Sequence, residues 1–294
     1  MTSYPDDSIN APPPAPWKRV IGIIGGLGPH AHLELERLLL AETERRLGRP
    51  ATDRDYPPWI VSSIPATPDR TRAIDEATDA PMAELERSLR RLTGADFAVI
   101  PCNTAHHFLD KLRARTELPI LDTIEETAIE AARLAGVGAR IGLLATTGAI
   151  RTDLYQRAMA RVDPTATILT PLDLDAERGA ELQDACVMTP IYGPRDASGA
   201  RLGGIKAGGL DDPARRERLA APLRRAIELL REAGASVVIL GCTEIPLVIE
   251  RGSREGLTLL DPMQVAARAC LDIASGARPL PAARSTCARF PDCV

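Results

Sequence analysis

Three landmarks occur twice in this chain, in the same order, and the repetition constrains the fold more than any other feature. Ile21-Gly22-Ile23-Ile24-Gly25-Gly26-Leu27-Gly28 returns 120 positions on as Ile141-Gly142-Leu143-Leu144-Ala145-Thr146-Thr147-Gly148. Ala98-Val99-Ile100-Pro101-Cys102-Asn103-Thr104 is echoed 140 positions on by Ile239-Leu240-Gly241-Cys242-Thr243, each behind a Gly-Ala pair (Gly94-Ala95 and Gly234-Ala235). Leu121-Asp122 and Leu260-Asp261 each open a helical pattern. One echo can arise by chance. Three in one order indicate an internal duplication of roughly 120–140 residues.

Short apolar runs alternate with amphipathic stretches between these landmarks. Strands are predicted at 19–24, 59–64, 97–101 and 118–122; the pattern restarts with a strand and small-residue turn over 141–148, followed by strands at 166–169 and from 237. Helices are predicted at 29–47, 82–92, 104–115, 123–134, 149–161 and 213–233, with a helical pattern over 173–188. Pro65–Thr71 and Ile191–Leu210 read as loops. The pattern predicts an α/β fold: two similar duplicated domains with mostly parallel sheets, related by a pseudo-twofold, with the active site in the cleft between them. The expected division is a proline-rich tail at 1–17 and a first domain at 18–121, completed by about 258–277. The second domain is then 122–257, with another tail at 278–294.

Composition narrows the partners. A net charge of −4 gives no reason to expect nucleic acid or an anionic membrane. No apolar run approaches the roughly 20 residues of a membrane span. The start lacks the basic-then-apolar pattern of a secretory signal, so the cytoplasm is the expected location. The six cysteines (Cys102, Cys186, Cys242, Cys270, Cys287 and Cys293) form no CxxC pair, which argues against a zinc cluster, and are too sparse for a disulfide scaffold. His30, His32, His106 and His107 lack a carboxylate at helical ligand spacing, so no metal site is expected, although His106 or His107 could orient a thiol. Cys186 and Cys270 read as packing residues, Cys287 and Cys293 as incidental.

In α/β sheets, ligands sit beyond the carboxyl ends of the strands. Cys102 and Cys242 both stand there, each before a helical pattern whose N-terminus would favour a thiolate. One such cysteine alone reads as a small core residue. Two, placed by a duplication, read as a site that needs a thiol on each side. Asn103, Thr104, Thr146, Thr147 and Thr243 could hold a carboxylate, and are equally good helix caps. Gly26-Leu27-Gly28-Pro29-His30-Ala31 fits a dinucleotide-binding pattern, but the second strand ends Ser62-Ser63-Ile64-Pro65, with no acidic residue for a ribose. Its glycines are read instead as a loop through which backbone N–H groups approach an anion. Arg70 lies in a proline-stiffened loop, and Lys206 in a glycine loop of a chain whose other lysines are Lys18 and Lys111.

These residues resemble the aspartate/glutamate racemase superfamily, and most of all its aspartate racemases. The resemblance rests on Ile21–Pro29, Pro68-Asp69-Arg70-Thr71, Pro101-Cys102-Asn103-Thr104-Ala105-His106, Leu144–Gly148, Ile205-Lys206-Ala207-Gly208, Gly241-Cys242-Thr243-Glu244 and Leu260-Asp261-Pro262. Glutamate racemases carry an Asp-Ser in the first loop and a His after the second Cys-Thr, where this chain has Gly25-Gly26 and Glu244. The resemblance implies a cofactor-independent, PLP-independent amino-acid racemase acting on aspartate, with Cys102 and Cys242 as catalytic acid and base. It implies substrate binding by Arg70, Lys206, Asn103, Thr104, Thr147 and Thr243, to which the glycine loop adds Gly28. No cofactor and no metal are expected; the expected partners are a small amino acid and a second copy of the chain, as a homodimer. Tyr192–Gly203 is longer than the family's usual link to the lysine loop and falls near the site. Open alternatives are racemisation of glutamate or a broader set of amino acids, isomerisation of a diacid, and non-catalytic binding of a small acid.

Overall fold

The computed structural model describes residues 17–281. In each half, the strand carrying the Ile-Gly landmark is central. β1 (Ile21–Gly25) lies between β2 (Trp59–Ser63) and β3 (Phe97–Val99), with Ile21 beside Trp59 and Phe97. β4 (Arg140–Leu144) lies between β5 (Thr167–Leu169) and β6 (Val237–Leu240), with Ile141 beside Ile168 and Val237. All these pairings are parallel, and β1 and β6 are buried throughout, as strands covered on both faces must be. β8 (Leu257–Leu260) adds to β6 in parallel; in the first half an isolated parallel bridge joins Ala98 to Ile120 at the matching place. The repeat in sequence is therefore a repeat of strand order.

The repeated glycines explain themselves by packing. A Cβ on Gly22 would lie 3.0 Å from the Leu92 and Ala95 side chains, and one on Gly142 would lie 2.8 Å from Val238 Cγ2. Only a bare backbone lets these layers close to that distance.

The last helix of each repeat crosses to the other half. Helix Thr123–Ala135 follows the first sheet, yet Ile124, Ala128 and Ala131 pack with Ile141 and Leu143 against the second. Helix Pro262–Ser275 follows β8, yet Met263, Ala267 and Leu271 pack with Ile21, Ile23 and Leu35 against the first. The stretch at about 258–277 thus divides: its strand stays with the second sheet and its helix covers the first. The repeated Leu-Asp landmark starts both helices. Asp122 accepts the N–H groups of Ile124 and Glu125, and Asp261 accepts that of Met263. Such a cap is worth about 1 kcal/mol.

Several local expectations are corrected. The loop expected over Pro65–Thr71 gives way at Arg70 to helix Arg70–Asp75, capped by Asp69. The helical pattern over 173–188 ends in a π turn, Asp184–Met188. A hairpin strand, β7 (Gly252–Arg254), runs antiparallel to β8, joined through Glu255 and Gly256, both at positive φ. Trp17, placed in the first tail, is anchored: its indole N–H donates to Asp55 O at 2.8 Å and its ring packs on the first core. Arg278, placed in the second tail, pairs with Glu126 at 2.6 Å. The remainder of both tails, with Cys287 and Cys293, lies outside the described residues. Cys186 and Cys270 are core residues, as expected.

Leu271 tests the helix crossover. It is fully buried against the opposite half, so Leu271→Ala is expected to cost about 2–5 kcal/mol in urea unfolding, with an unchanged transition contradicting the docking.

Candidate active site

Cys102 follows β3, Cys242 follows β6, and one cleft is lined by both. The first half also contributes Arg70, Asn103 and Thr104; the second contributes Thr146, Tyr192, Lys206, Thr243 and Glu244. The free volume is about 10 Å³, room for about one water molecule. Contacts across the halves close the space. Thr104 Oγ1 and Thr146 Oγ1 are 3.0 Å apart, and Thr71 Oγ1 and the Tyr192 hydroxyl 3.4 Å. A Cβ on Gly148 would stand only 3.0 Å from Thr71 Cα.

Neither thiol sits at the start of a regular α-helix. Asn103–Phe108 and Ile245–Leu247 are 3-10 turns. The cause is local. An α turn would send the N–H of the fourth residue on to the cysteine carbonyl. At Cys242 that residue is Pro246, which has no N–H, so Ile245 N–H bonds to Cys242 O instead. At Cys102 the carbonyl is held by Ala105 N–H and, at 3.0 Å, by the His106 ring. A carbonyl only accepts, so His106 carries its proton on Nδ1. Nε2 then accepts from the Thr123 hydroxyl at 2.9 Å. Burial lowers the His106 pKa, and the ring is a neutral brace for the Cys102 loop, while His107 is exposed. The charge at each thiol therefore comes from side chains rather than from a helix dipole.

Beside Cys242 that charge is Glu244. The thiol donates to Glu244 Oε2 at 3.0 Å, the Thr243 hydroxyl donates to the same oxygen at 3.2 Å, and Lys206 Nζ donates to Oε1 at 2.7 Å. Glu244 is 3% exposed, and a buried carboxylate persists only with donors of this kind. Burial pushes its pKa up, but Lys206 and the Cys242 thiol prevail and hold it below the ordinary value. The Cys242 thiol is pushed well above its ordinary value by burial first and by the Glu244 charge second, against Lys206. Burial lowers the Lys206 pKa, yet the Glu244 carboxylate raises it overall. Its ammonium also lies 5.3 Å from the centre of the Tyr192 ring.

Beside Cys102 the charge is Arg70. The guanidinium is buried and donates to Leu27 O at 2.5 Å, Pro68 O at 3.0 Å and Thr67 O at 3.2 Å. Its Nε has no hydrogen-bond partner. Burial lowers the Arg70 pKa, but its interactions with neighbouring groups, Cys102 and Asp69 foremost, make the net shift upward. Asn103 is 2% exposed, with neither its Oδ1 nor its Nδ2 paired. An amide so placed costs about 1–3 kcal/mol for each unmet group unless a ligand completes it.

Other residues singled out in the sequence are placed differently. Gly28 does approach an anion, but the anion is the protein's own: a Cβ there would lie 2.3 Å from Glu244 Oε1. Thr147 directs its N–H and hydroxyl to the Met188 sulfur at 3.4 and 3.8 Å, and Thr146 lines the cleft in its place. Glu244 was visible as the acid two residues after Cys242 that replaces a His, without a role; Tyr192 was marked only as the start of the long Tyr192–Gly203 stretch near the site, and its ring lines the cleft. Among the described residues, no group of three or more His, Cys, Asp or Glu is placed to hold a metal ion.

A sequence model described as Asp/Glu/Hydantoin racemase matches residues 24–183 and 193–270. The break between the two matches includes Tyr192. Glutamate racemase of Desulforudis audaxviator (strain MP104C) is 29% identical over 201 residues, 66% of this chain and 63% of the relative. The broad specificity amino-acid racemase of Bacillus subtilis (strain 168) is 28% identical over 141 residues, 48% of this chain and 60% of the relative. The matched part thus spans less than two thirds of these curated relatives. Among solved structures, the aspartate racemase of Picrophilus torridus shares the fold at a TM-score of 0.63 and 21% identity, covering 89% of this chain and 96% of that one. An aspartate racemase homologue from Pyrococcus horikoshii OT3 does so at 0.60 and 23%, covering 87% and 99%. With the family match extending over most of its length, the chain belongs to the Asp/Glu/Hydantoin racemase family.

Proposed function

We propose that this protein racemises an α-amino acid by two-base proton transfer between Cys102 and Cys242, and that aspartate is the substrate. The observation that carries the reading is the pair of thiols lining one cleft from topologically equivalent positions in two halves. Racemisation removes a proton from one face of the α-carbon and delivers one to the other, and a single base serves both faces poorly. In the proposed step a thiolate takes the α-hydrogen as H⁺, leaving the electron pair on the α-carbon and its carboxylate. The opposite thiol gives its proton to the other face. The thiolate has then moved from one cysteine to the other, and no external redox partner is needed.

The unpaired Asn103 amide supports the binding half of the reading. Its Nδ2 hydrogens suit the α-carboxylate on which charge gathers, and its Oδ1 suits the ammonium. Thr104, Thr146 and Thr243 bring hydroxyls to the same space. The closed volume is too small for an amino acid, so admission requires the halves or Tyr192 to open, and closure then excludes water. Aspartate is favoured by Lys206, the cation that can turn from Glu244 to a side-chain carboxylate. A second reading, a neutral amino acid as substrate, is favoured by the fact that both cations already have partners: Lys206 in Glu244, Arg70 in three carbonyls.

A panel of acidic, neutral and aromatic amino acids in heavy water, without added cofactor, separates these readings. Loss of optical rotation with α-deuterium uptake is expected first for aspartate; uptake confined to neutral amino acids supports the second reading, and no uptake with any member contradicts both. Serine at Cys102 or at Cys242 is expected to lower turnover by roughly 10²–10⁴-fold or more, and full activity in either variant sinks the two-base assignment.

Asn103→Ala separates binding from folding. Removing an unpaired buried amide is expected to leave the melting temperature unchanged or raised, while the loss of about 1.5–3 kcal/mol of charge-assisted bonding lowers kcat/KM by roughly 10- to 150-fold. A fall in stability with intact kcat/KM would assign Asn103 to structure alone.

A further inference from the structure

We infer that Arg201 is a positioning residue for the cleft: from the long stretch after Tyr192 it reaches back and fixes the short helix that carries the Tyr192 wall. Among the described residues the cleft is lined by Tyr192 and Lys206 and by nothing between them in the chain. The stretch therefore acts through what it holds, not by lining the site.

It leaves and rejoins the fold at one point. Gly193 and Gly204 both have positive φ, 94° and 63°. A Cβ on Gly193 would lie 2.1 Å from Leu202 O, and one on Gly204 would lie 2.5 Å from Ile191 O. Backbones this close need bare glycine. Residues 194–203 are thus an excursion with a pinched base, and it has order of its own. Arg195 and Arg201 form an antiparallel bridge, and Asp196 accepts the N–H groups of Ser198 at 2.8 Å and Ala200 at 3.0 Å. Tyr192 and Lys206 meet across the base, with the ammonium 5.3 Å from the ring centre.

Arg201 turns inward from this excursion, its side chain 8% exposed. One guanidinium nitrogen donates to Thr189 Oγ1 at 3.2 Å and to Gly193 O at 2.9 Å; the other pairs with Asp184. These partners bracket helix Thr189–Tyr192: Asp184 lies in the turn before it, Thr189 is its first residue and Gly193 follows its last. A helix of 4 residues does not hold its own place. A planar fork reaches all three partners at once, which a lysine ammonium on its flexible stem does not. Beyond the helix stands the wall itself, with the Tyr192 hydroxyl 3.4 Å from Thr71 Oγ1 of the first half. Arg215 fastens the neighbouring Lys206 turn in the same way, donating to Gly204 O at 2.8 Å and Gly208 O at 3.0 Å. With both parts of this wall held, admission of a substrate falls to the contacts between the halves.

The test is a double-mutant cycle with Tyr192, read as the rate at which iodoacetamide alkylates Cys102 and Cys242 in the folded protein at one pH. Both thiols are buried, at 7% and 6% exposure, so the rate reports opening of the cleft. Arg201→Ala is expected to raise it by roughly 5- to 30-fold when Tyr192 is present. In the Tyr192→Ala background the same change is expected to add less than about 2-fold, because the wall it holds is gone. Equal factors in both backgrounds overturn the inference, since a prop of the whole fold or a shift in thiol charge acts with or without Tyr192. No acceleration beside Tyr192 overturns it as well. Asp184→Ala is expected to move the rate in the same direction; should Arg201→Ala not fold, an unchanged rate in Asp184→Ala overturns the inference. The same cycle on kcat/KM for aspartate rests on the proposed racemisation: Arg201→Ala is expected to lower it roughly 10-fold beside Tyr192 and little without it, and independent losses contradict the assignment. Alkylation uses no substrate, so the clamp can fail while racemisation stands, or hold while the substrate panel fails.

Discussion

Each half of this protein covers its sheet with a helix that follows the other half in sequence. Ile124, Ala128 and Ala131 serve the second sheet, and Met263, Ala267 and Leu271 the first. Neither sheet is fully covered without the helix that follows the other, so the two halves are coupled through these contacts. That exchange brings the loops after β3 and β6 to one cleft. Thr104 and Thr146 touch across it.

Charge then breaks the symmetry that topology imposes. The repeated strand order supplies two equivalent cysteines, but Glu244 has no acidic counterpart beside Cys102, where Ala105 follows Thr104, and Arg70 faces Cys102 from a helix of its own. Glu244 is also why Gly28 must be glycine and why Lys206 is held inside the cleft. The space conserved by the bare Gly28 backbone is the space a buried carboxylate occupies. The Asn103 amide is the group left unmatched, and it marks where a ligand would complete the network.

Much of the fold was legible because duplication leaves periodic marks. Ile-Gly, strand-to-cysteine and Leu-Asp each have a physical cause that both halves share: close packing over Gly22 and Gly142, a strand end, and an Asp cap. What sequence did not convey depended on contacts distant in the chain or on atypical turns. Arg70 reads as a loop residue because the carbonyls that bury it, Leu27 O above all, are invisible to local pattern. Glu255-Gly256 makes a tight hairpin without the Asn-Gly or Asp-Gly signature such turns usually carry. Thr146 and Thr147 are equivalent in pattern, and only the Met188 sulfur separates them. Tyr192 opens the long stretch that the sequence placed near the site, but it lies outside the family match, so which of its side chains lines the cleft was not legible.

The central claim is that two thiols, one on each face of the α-carbon, share the work. The most direct measurement follows the early conversion of L-aspartate in heavy water, scoring deuterium separately in the remaining substrate and in the product. Two bases predict D-product that carries α-deuterium while the remaining L-substrate keeps its original hydrogen. Equal deuterium in both enantiomers from the first turnovers would mean that one group serves both faces, and would contradict the account.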